Sequence, residues 1–213
     1  MKNNTIYRLV IVLVTFCIFY VPYLAINHLP LQRHTIPYIF HEEEIPLLGW
    51  SAWIYMSVFV QGVVCGIFAT PKVLSNTVFL GAIIVGIHCL IFLIYPTEYP
   101  RADYPSDDFV LGIFRCVDTP ANCLPSLHVS ATTLFAFAFS QSINSKMNNI
   151  ALEARILGFK IKIYRNKILI FSVYFWSVLI MVSTLTTKQH YLLDVFSGVL
   201  VVALVLIKYK KYL

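Results

Sequence analysis

Residues 187–198 read Thr-Lys-Gln-His-Tyr-Leu-Leu-Asp-Val-Phe-Ser-Gly and open an apolar run that continues to Ile207. His190 and Asp194 stand four apart, so on a helix both side chains lie on one face, one turn from each other. An ionisable pair in a membrane segment is costly to keep and marks a functional site by default. A second polar-to-apolar boundary, Pro125-Ser126-Leu127-His128, places another histidine at the mouth of an apolar run. Two histidines and a carboxylate at the mouths of two membrane helices point to chemistry on a lipid-borne group.

The rest of the chain supplies the membrane. It has 213 residues, of which 59% are hydrophobic and only 12% charged, with a mean hydropathy of +0.76. Such a balance lies outside ordinary soluble domains and predicts an all-α, polytopic membrane protein with one membrane domain over 1–213. The net charge of +6 sits in short loops between apolar runs, where it marks topology and excludes nucleic acid as a partner. The five cysteines lack metal-ligand spacing. Cys17, Cys65 and Cys89 fall in apolar runs as packing residues.

Six spans are predicted, at about 6–26, 46–70, 76–95, 126–142, 168–186 and 191–207, each long enough to cross the hydrocarbon layer. The first is read as a span and not as a signal peptide, because no small-residue cleavage pattern follows it. Trp50, Trp53 and Tyr55 mark the interface end of the second. The basic stretch before Lys167 carries apolar residues at Ile150, Leu152, Ile156 and Phe159, a spacing that predicts a short helix lying on the membrane surface. The N-terminus, the Lys72 turn, the 143–167 segment and the C-terminus hold twelve of the sixteen Lys and Arg, and nine of the ten acids fall on the other side. By the positive-inside rule both termini are cytoplasmic and both histidine motifs face outward. Spans four and six then start at the outer face, where unpaired helix N–H groups suit an anion such as phosphate.

Pro125-Ser126-Leu127-His128, followed about sixty residues later by Ser183, His190, Tyr191 and Asp194, resembles the second and third signature motifs of the type 2 phosphatidic acid phosphatase superfamily. The resemblance covers roughly the C-terminal two thirds. It implies a lipid phosphate phosphatase in which His190 is the nucleophile and forms a phosphohistidine. Asp194 orients His190, and His128 protonates the departing lipid oxygen and later activates water. Ser126 holds phosphate oxygens, and the chemistry needs no metal or other cofactor. The implied partners are a membrane lipid phosphate and the bilayer. The implied location is a bacterial inner membrane with the site on its periplasmic or outer face, or the endoplasmic reticulum with a lumenal site.

The chain departs from the family pattern at two points. In the first motif Arg101 is followed by Ala102, and the lysine position is Ile94; in the third, Ser183 is followed by Thr184 where arginine is usual. Lys188 is the substitute expected for the second cation, on a helical face shared with Thr184, and Arg101 or Arg115 supplies the rest. Leu127, in place of the commoner glycine, resembles the branch that includes inositol phosphorylceramide synthases. That makes phosphotransfer to an alcohol the alternative to hydrolysis. A proton-coupled transporter using His190 and Asp194 as a relay is the reading from another class. His88, in the third span, reads as a packed or pore-lining histidine, and the loop residues His28, His34 and His41 as interfacial. Cys116 and Cys123 flank a short loop segment and form either a small disulfide ring or two free thiols. Lys210 and Lys211 near the C-terminus resemble a dilysine retrieval signal and equally form a basic cytoplasmic tail.

Overall fold

Long runs with few charged residues fold at low cost in lipid only as helices, because every backbone N–H and C=O is then paired within the segment. The structure, a computed structural model, describes residues 5–101, 106–146, 151–156 and 159–209. Its helices are α1 Thr5–Asn27, α2 Ala52–Phe68, α3 Pro71–Ile94, α4 Phe109–Val117, α5 Leu127–Lys146, α6 Arg165–Thr186 and α7 Leu192–Lys208. Single helical turns at Glu42–Glu44 and Gly49–Ser51 precede α2. Among the described residues four segments, Thr5–Asn27, Gly49–Phe68, Pro71–Ile94 and Arg165–Thr186, are long and apolar enough to cross a membrane. Six of the helices coincide with the six predicted runs; α7, with 17 residues, is about 25 Å long at 1.5 Å per residue.

α5 is the centre of the bundle and touches α2, α3, α6 and α7. It is also the least apolar of the long helices, and its buried polar groups are paired across helices. Thr132 donates to Gln61 Oε1 at 2.6 Å, and Gln61 Nε2 donates to Ser177 Oγ at 2.8 Å. Such bonds join helices that water cannot drive together. The outer faces of α1, α6 and α7 expose Val14, Ile18, Phe171, Phe175, Leu200 and Leu204, the pattern of a surface solvated by lipid. Arg8 is buried, and its guanidinium donates to Ile67 O at 3.1 Å and to Ala69 O, tying the start of α1 to the end of α2.

Two departures from the expected fold have physical causes. The basic stretch before α6 is not a surface helix: Ala151–Ile156 and Phe159–Tyr164 pair as antiparallel strands β1 and β2, in register from Ala151↔Tyr164 to Ile156↔Phe159. Phe159-Lys160-Ile161-Lys162-Ile163 alternates apolar and basic residues with period two, and that alternation outweighs the helical spacing. Among the described residues the fold is therefore helical with one β-hairpin. Ile150, Lys2, Lys210 and Lys211, used above for the surface helix and the topology, lie outside the described residues.

The second departure is α4, which lies between the third and fourth predicted spans, where no helix is predicted. Asp108 caps it by accepting from Leu111 N at 2.9 Å. Leu111 and Phe114, three apart, pack on Ala52 and Tyr55 of α2. Together with loops 28–48 and 95–101, α4 roofs the end of the bundle where α5 and α7 begin. Within that roof Ile36, Tyr99, Cys123 and Tyr191 form one buried cluster.

Candidate active site

The two motifs meet because α5 and α7 start side by side. Ser126 N donates to Asp194 O at 3.1 Å, and a Cβ on Gly198 would lie 2.7 Å from Ser126 O, so the approach requires glycine there. Ser130 locks the same contact one turn further down: its hydroxyl donates to Gly198 O at 2.8 Å and lies 3.2 Å from His88 Nε2. His88, whose Nδ1 is 2.8 Å from Ile84 O, is thus a buried joint between α3, α5 and α7.

His190 is delivered by the way α6 ends. Lys188 N bonds Leu185 O at 3.0 Å and Gln189 N bonds Thr184 O at 3.1 Å, with Lys188 at φ 53°. This is a Schellman ending with lysine in the left-handed position that glycine usually takes. α6 therefore stops at Thr186, and Lys188 and Thr184 do not share a helical face. Thr184 is fully buried, with its hydroxyl returned to Met181 O at 2.7 Å. The Lys188 ammonium donates to Glu42 O at 3.3 Å and Glu43 O at 3.2 Å. Burial lowers its pKa, and the charges of Glu42 and Glu43 oppose that shift.

The nucleophile candidate has its orienter in place. His190 Nδ1 is 3.2 Å from Asp194 Oδ2, and the same oxygen accepts from Tyr191 N at 2.8 Å, capping α7. A proton on Nδ1 is thereby directed at the carboxylate, leaving Nε2 with its lone pair. Asp194 is fully buried, and its other oxygen, Oδ1, has no hydrogen-bond partner among the described residues. Glu42, also buried, accepts from Ile39 N at 2.9 Å and from Leu192 N, the first residue of α7. The start of α7 is thus capped by two of the protein's own carboxylates, and not left open for phosphate as expected.

His128 faces His190 with ring centroids 6.2 Å apart. Its Nδ1 is 2.9 Å from the hydroxyl of Tyr55, whose ring lies over it at 4.3 Å. A tyrosine hydroxyl both donates and accepts, so Nδ1 stays partnered whether the imidazole carries one proton or two. Nε2 is then the atom left for proton transfer.

Ser126 is fully buried, with its Oγ 3.4 Å from Val129 N at the start of α5. Arg115 Nη2 is 3.4 Å from Thr187 O, at the turn that carries His190. Burial, and then the charge of Arg101, lower the Arg115 pKa. Arg101 itself pairs with Asp118, through Nη1 to the backbone O at 2.6 Å and Nη2 to Oδ2 at 3.2 Å. Asp118 Oδ1 accepts in turn from Tyr23 OH of α1 at 2.9 Å.

Tyr55, Glu42, Asp118 and Cys123 carry no motif, and nothing in the sequence marks them as neighbours of the histidines. Cys116 and Cys123 are both free thiols, the first exposed and the second buried with Sγ 3.2 Å from Pro120 O. Burial, and then the charge of Asp194, hold the Cys123 pKa well above the usual thiol value. Below His128 an apolar cavity of about 360 Å³ runs between α1, α2, α3 and α5, lined by Phe16, Tyr20, Phe59 and Leu134, with Leu127 and His128 at its site end.

The comparison with protein-family models matches residues 48–212 to the PAP2 superfamily. The match spans well over half of the chain, and the protein belongs to that superfamily. Its activity is therefore phosphoryl transfer from phosphate esters, as a phosphatase or phosphotransferase. The comparison with curated proteins returns no match.

Proposed function

We propose that this PAP2-superfamily enzyme hydrolyses a phosphomonoester or pyrophosphate on a membrane lipid through a phosphohistidine at His190. The observation that carries the proposal is the pair of facing imidazoles, each with Nδ1 held by its own partner. The phosphoryl group enters between the rings and His190 Nε2 attacks phosphorus. The bond to the lipid oxygen breaks as that oxygen takes a proton from His128. Asp194 stabilises the charge that develops on His190. Water, deprotonated by His128, then attacks the phosphohistidine and releases phosphate. Arg115, Arg101 and Ser126 hold the phosphoryl oxygens. Lys188 contributes through the 42–44 turn that it fastens beside α7.

The lipid substrate is supported by the apolar cavity that reaches His128, which has the chemistry to take hydrocarbon while the head group stays at the histidines. In this proposal α1, α2, α3, α5, α6 and α7 all cross the membrane. Both termini are then cytoplasmic, and the site opens on the extracytoplasmic face, supported by the distribution of Lys and Arg.

Phosphotransfer to an alcohol is the second reading, favoured by Leu127, which lines the cavity beside His128 in place of the commoner glycine. The test is purified protein in detergent, without an ion gradient, given a panel of lipid phosphates and pyrophosphates with and without an acceptor alcohol. Hydrolysis releases inorganic phosphate in both arms; transfer requires the alcohol and phosphorylates it. A panel in which no lipid yields inorganic phosphate in either arm or phosphorylated alcohol in the second contradicts both readings.

A further inference from the structure

We propose that Cys123, His190 and Asp194 form a Zn²⁺ site whose occupation removes the nucleophile and shuts the enzyme down. The three residues are all buried, and each offers a ligand atom within 4.8 Å of the others. Two donors on one tetrahedral Zn²⁺ are about 3.3–3.8 Å apart, given bonds of roughly 2.0–2.3 Å. Small side-chain movements therefore bring the three together.

An independent observation points to a ligand at the same place. Asp194 Oδ1 is a fully buried carboxylate oxygen without a hydrogen-bond partner among the described residues, although its twin Oδ2 has two. Such an atom is expensive to bury unpartnered. Cys123 is fixed nearby, because its backbone N–H and that of Leu124 both donate to Thr97 Oγ1 at 3.0 Å.

The donor set selects the ion. Sulfur, nitrogen and carboxylate oxygen suit Zn²⁺, whereas Mg²⁺ and Ca²⁺ require oxygen cages and discriminate against thiolate. The thiol loses its proton to water as the Zn–S bond forms. A ring nitrogen of His190 and the carboxylate that orients it become metal ligands, so the phosphohistidine cannot form. The inhibitory half of the inference rests on the function proposed above; the binding half does not.

The experiment therefore measures binding separately from turnover. Wild type and Cys123→Ser are purified with a non-thiol reductant and equilibrated in buffered micromolar free Zn²⁺. Bound metal is counted, and alkylation of each cysteine is followed by mass spectrometry. The wild type retains about one Zn²⁺ per chain, Cys123 is alkylated more slowly than in the metal-free protein while exposed Cys116 is alkylated at the same rate in both, and Mg²⁺ does not compete. Cys123→Ser loses that metal, and its turnover needs about 10–100-fold more Zn²⁺ for half-inhibition, each protein being compared with its own metal-free rate. Equal metal content, or equal Zn²⁺ sensitivity, in the two proteins overturns the site. If metal binding depends on Cys123 while His190→Ala turns over as fast as wild type, the site stands and the nucleophile assignment fails.

Discussion

The two histidines are held by opposite strategies. His190 takes its partner from the same helix start, Asp194 four residues on, whereas His128 takes its partner from Tyr55 on α2, 73 residues earlier. The first arrangement is encoded locally and forms whenever α7 forms. The second exists only after α2 and α5 have packed and α4 has been laid over them, with Phe114 against Tyr55 at 4.8 Å. The chemistry matches the difference. A fixed carboxylate suits a residue that must become and remain positively charged, and a hydroxyl suits one that alternately gives and takes a proton.

That contrast sets an order of effects. Asp194→Asn removes the charge that stabilises the developing cation and offers an amide N–H to Nδ1, which leaves the ring proton on the attacking Nε2, so kcat is expected to fall by about 10³–10⁴ with little change in KM. His128→Asn, measured on a lipid whose leaving oxygen needs a proton, is expected to cost about 10²–10⁴. A much smaller cost would show that the departing group leaves unassisted. Arg115→Ala is expected to cost about 10²–10³ in kcat/KM, the scale of one lost transition-state donor. Tyr55→Phe keeps the ring packing and removes one hydrogen bond, for an expected loss of about five- to tenfold. A loss as large as that of Asp194→Asn would erase the distinction drawn between the two partners.

Lys188 sharpens the comparison from the other side. If it holds the 42–44 turn, Lys188→Gly keeps the left-handed ending of α6 and removes the ammonium, and the deficit appears in Tm more than in kcat. If Lys188 is instead the missing phosphate cation, kcat/KM falls by about 10²–10³ at unchanged Tm. Paired thermal-melt and kinetic measurements on this one variant separate the two. Thr184→Arg, which would restore the family pattern, places a guanidinium at a fully buried position. It is expected to destabilise the protein and not to rescue Lys188→Ala.

What was legible in the sequence follows the same division between local and distant. The apolar runs of six helices were readable because each is contiguous, and the His190–Asp194 pair because four residues make one turn. The β-hairpin was misread because its basic and apolar residues satisfy two periods at once. α4 was hidden by its brevity, although Asp108 and the pair Leu111 and Phe114 were its signals. The Schellman ending had no glycine to announce it, since Lys188 itself adopts the left-handed backbone. Glu42 at the start of α7, Tyr55 on His128 and Cys123 beside Asp194 arise from tertiary packing across 150, 73 and 71 residues of chain, and no spacing rule reaches that far.

The central claim is that His190 carries the phosphoryl group, and rapid acid-free quenching of enzyme mixed with a ³²P-labelled lipid phosphate tests it most directly. The account predicts a protein-bound label that is stable to base, labile to acid and mapped by mass spectrometry to His190. The label is predicted to be absent from His190→Ala. Turnover by wild type with no such label under single-turnover conditions, or a label that persists in His190→Ala, would contradict it.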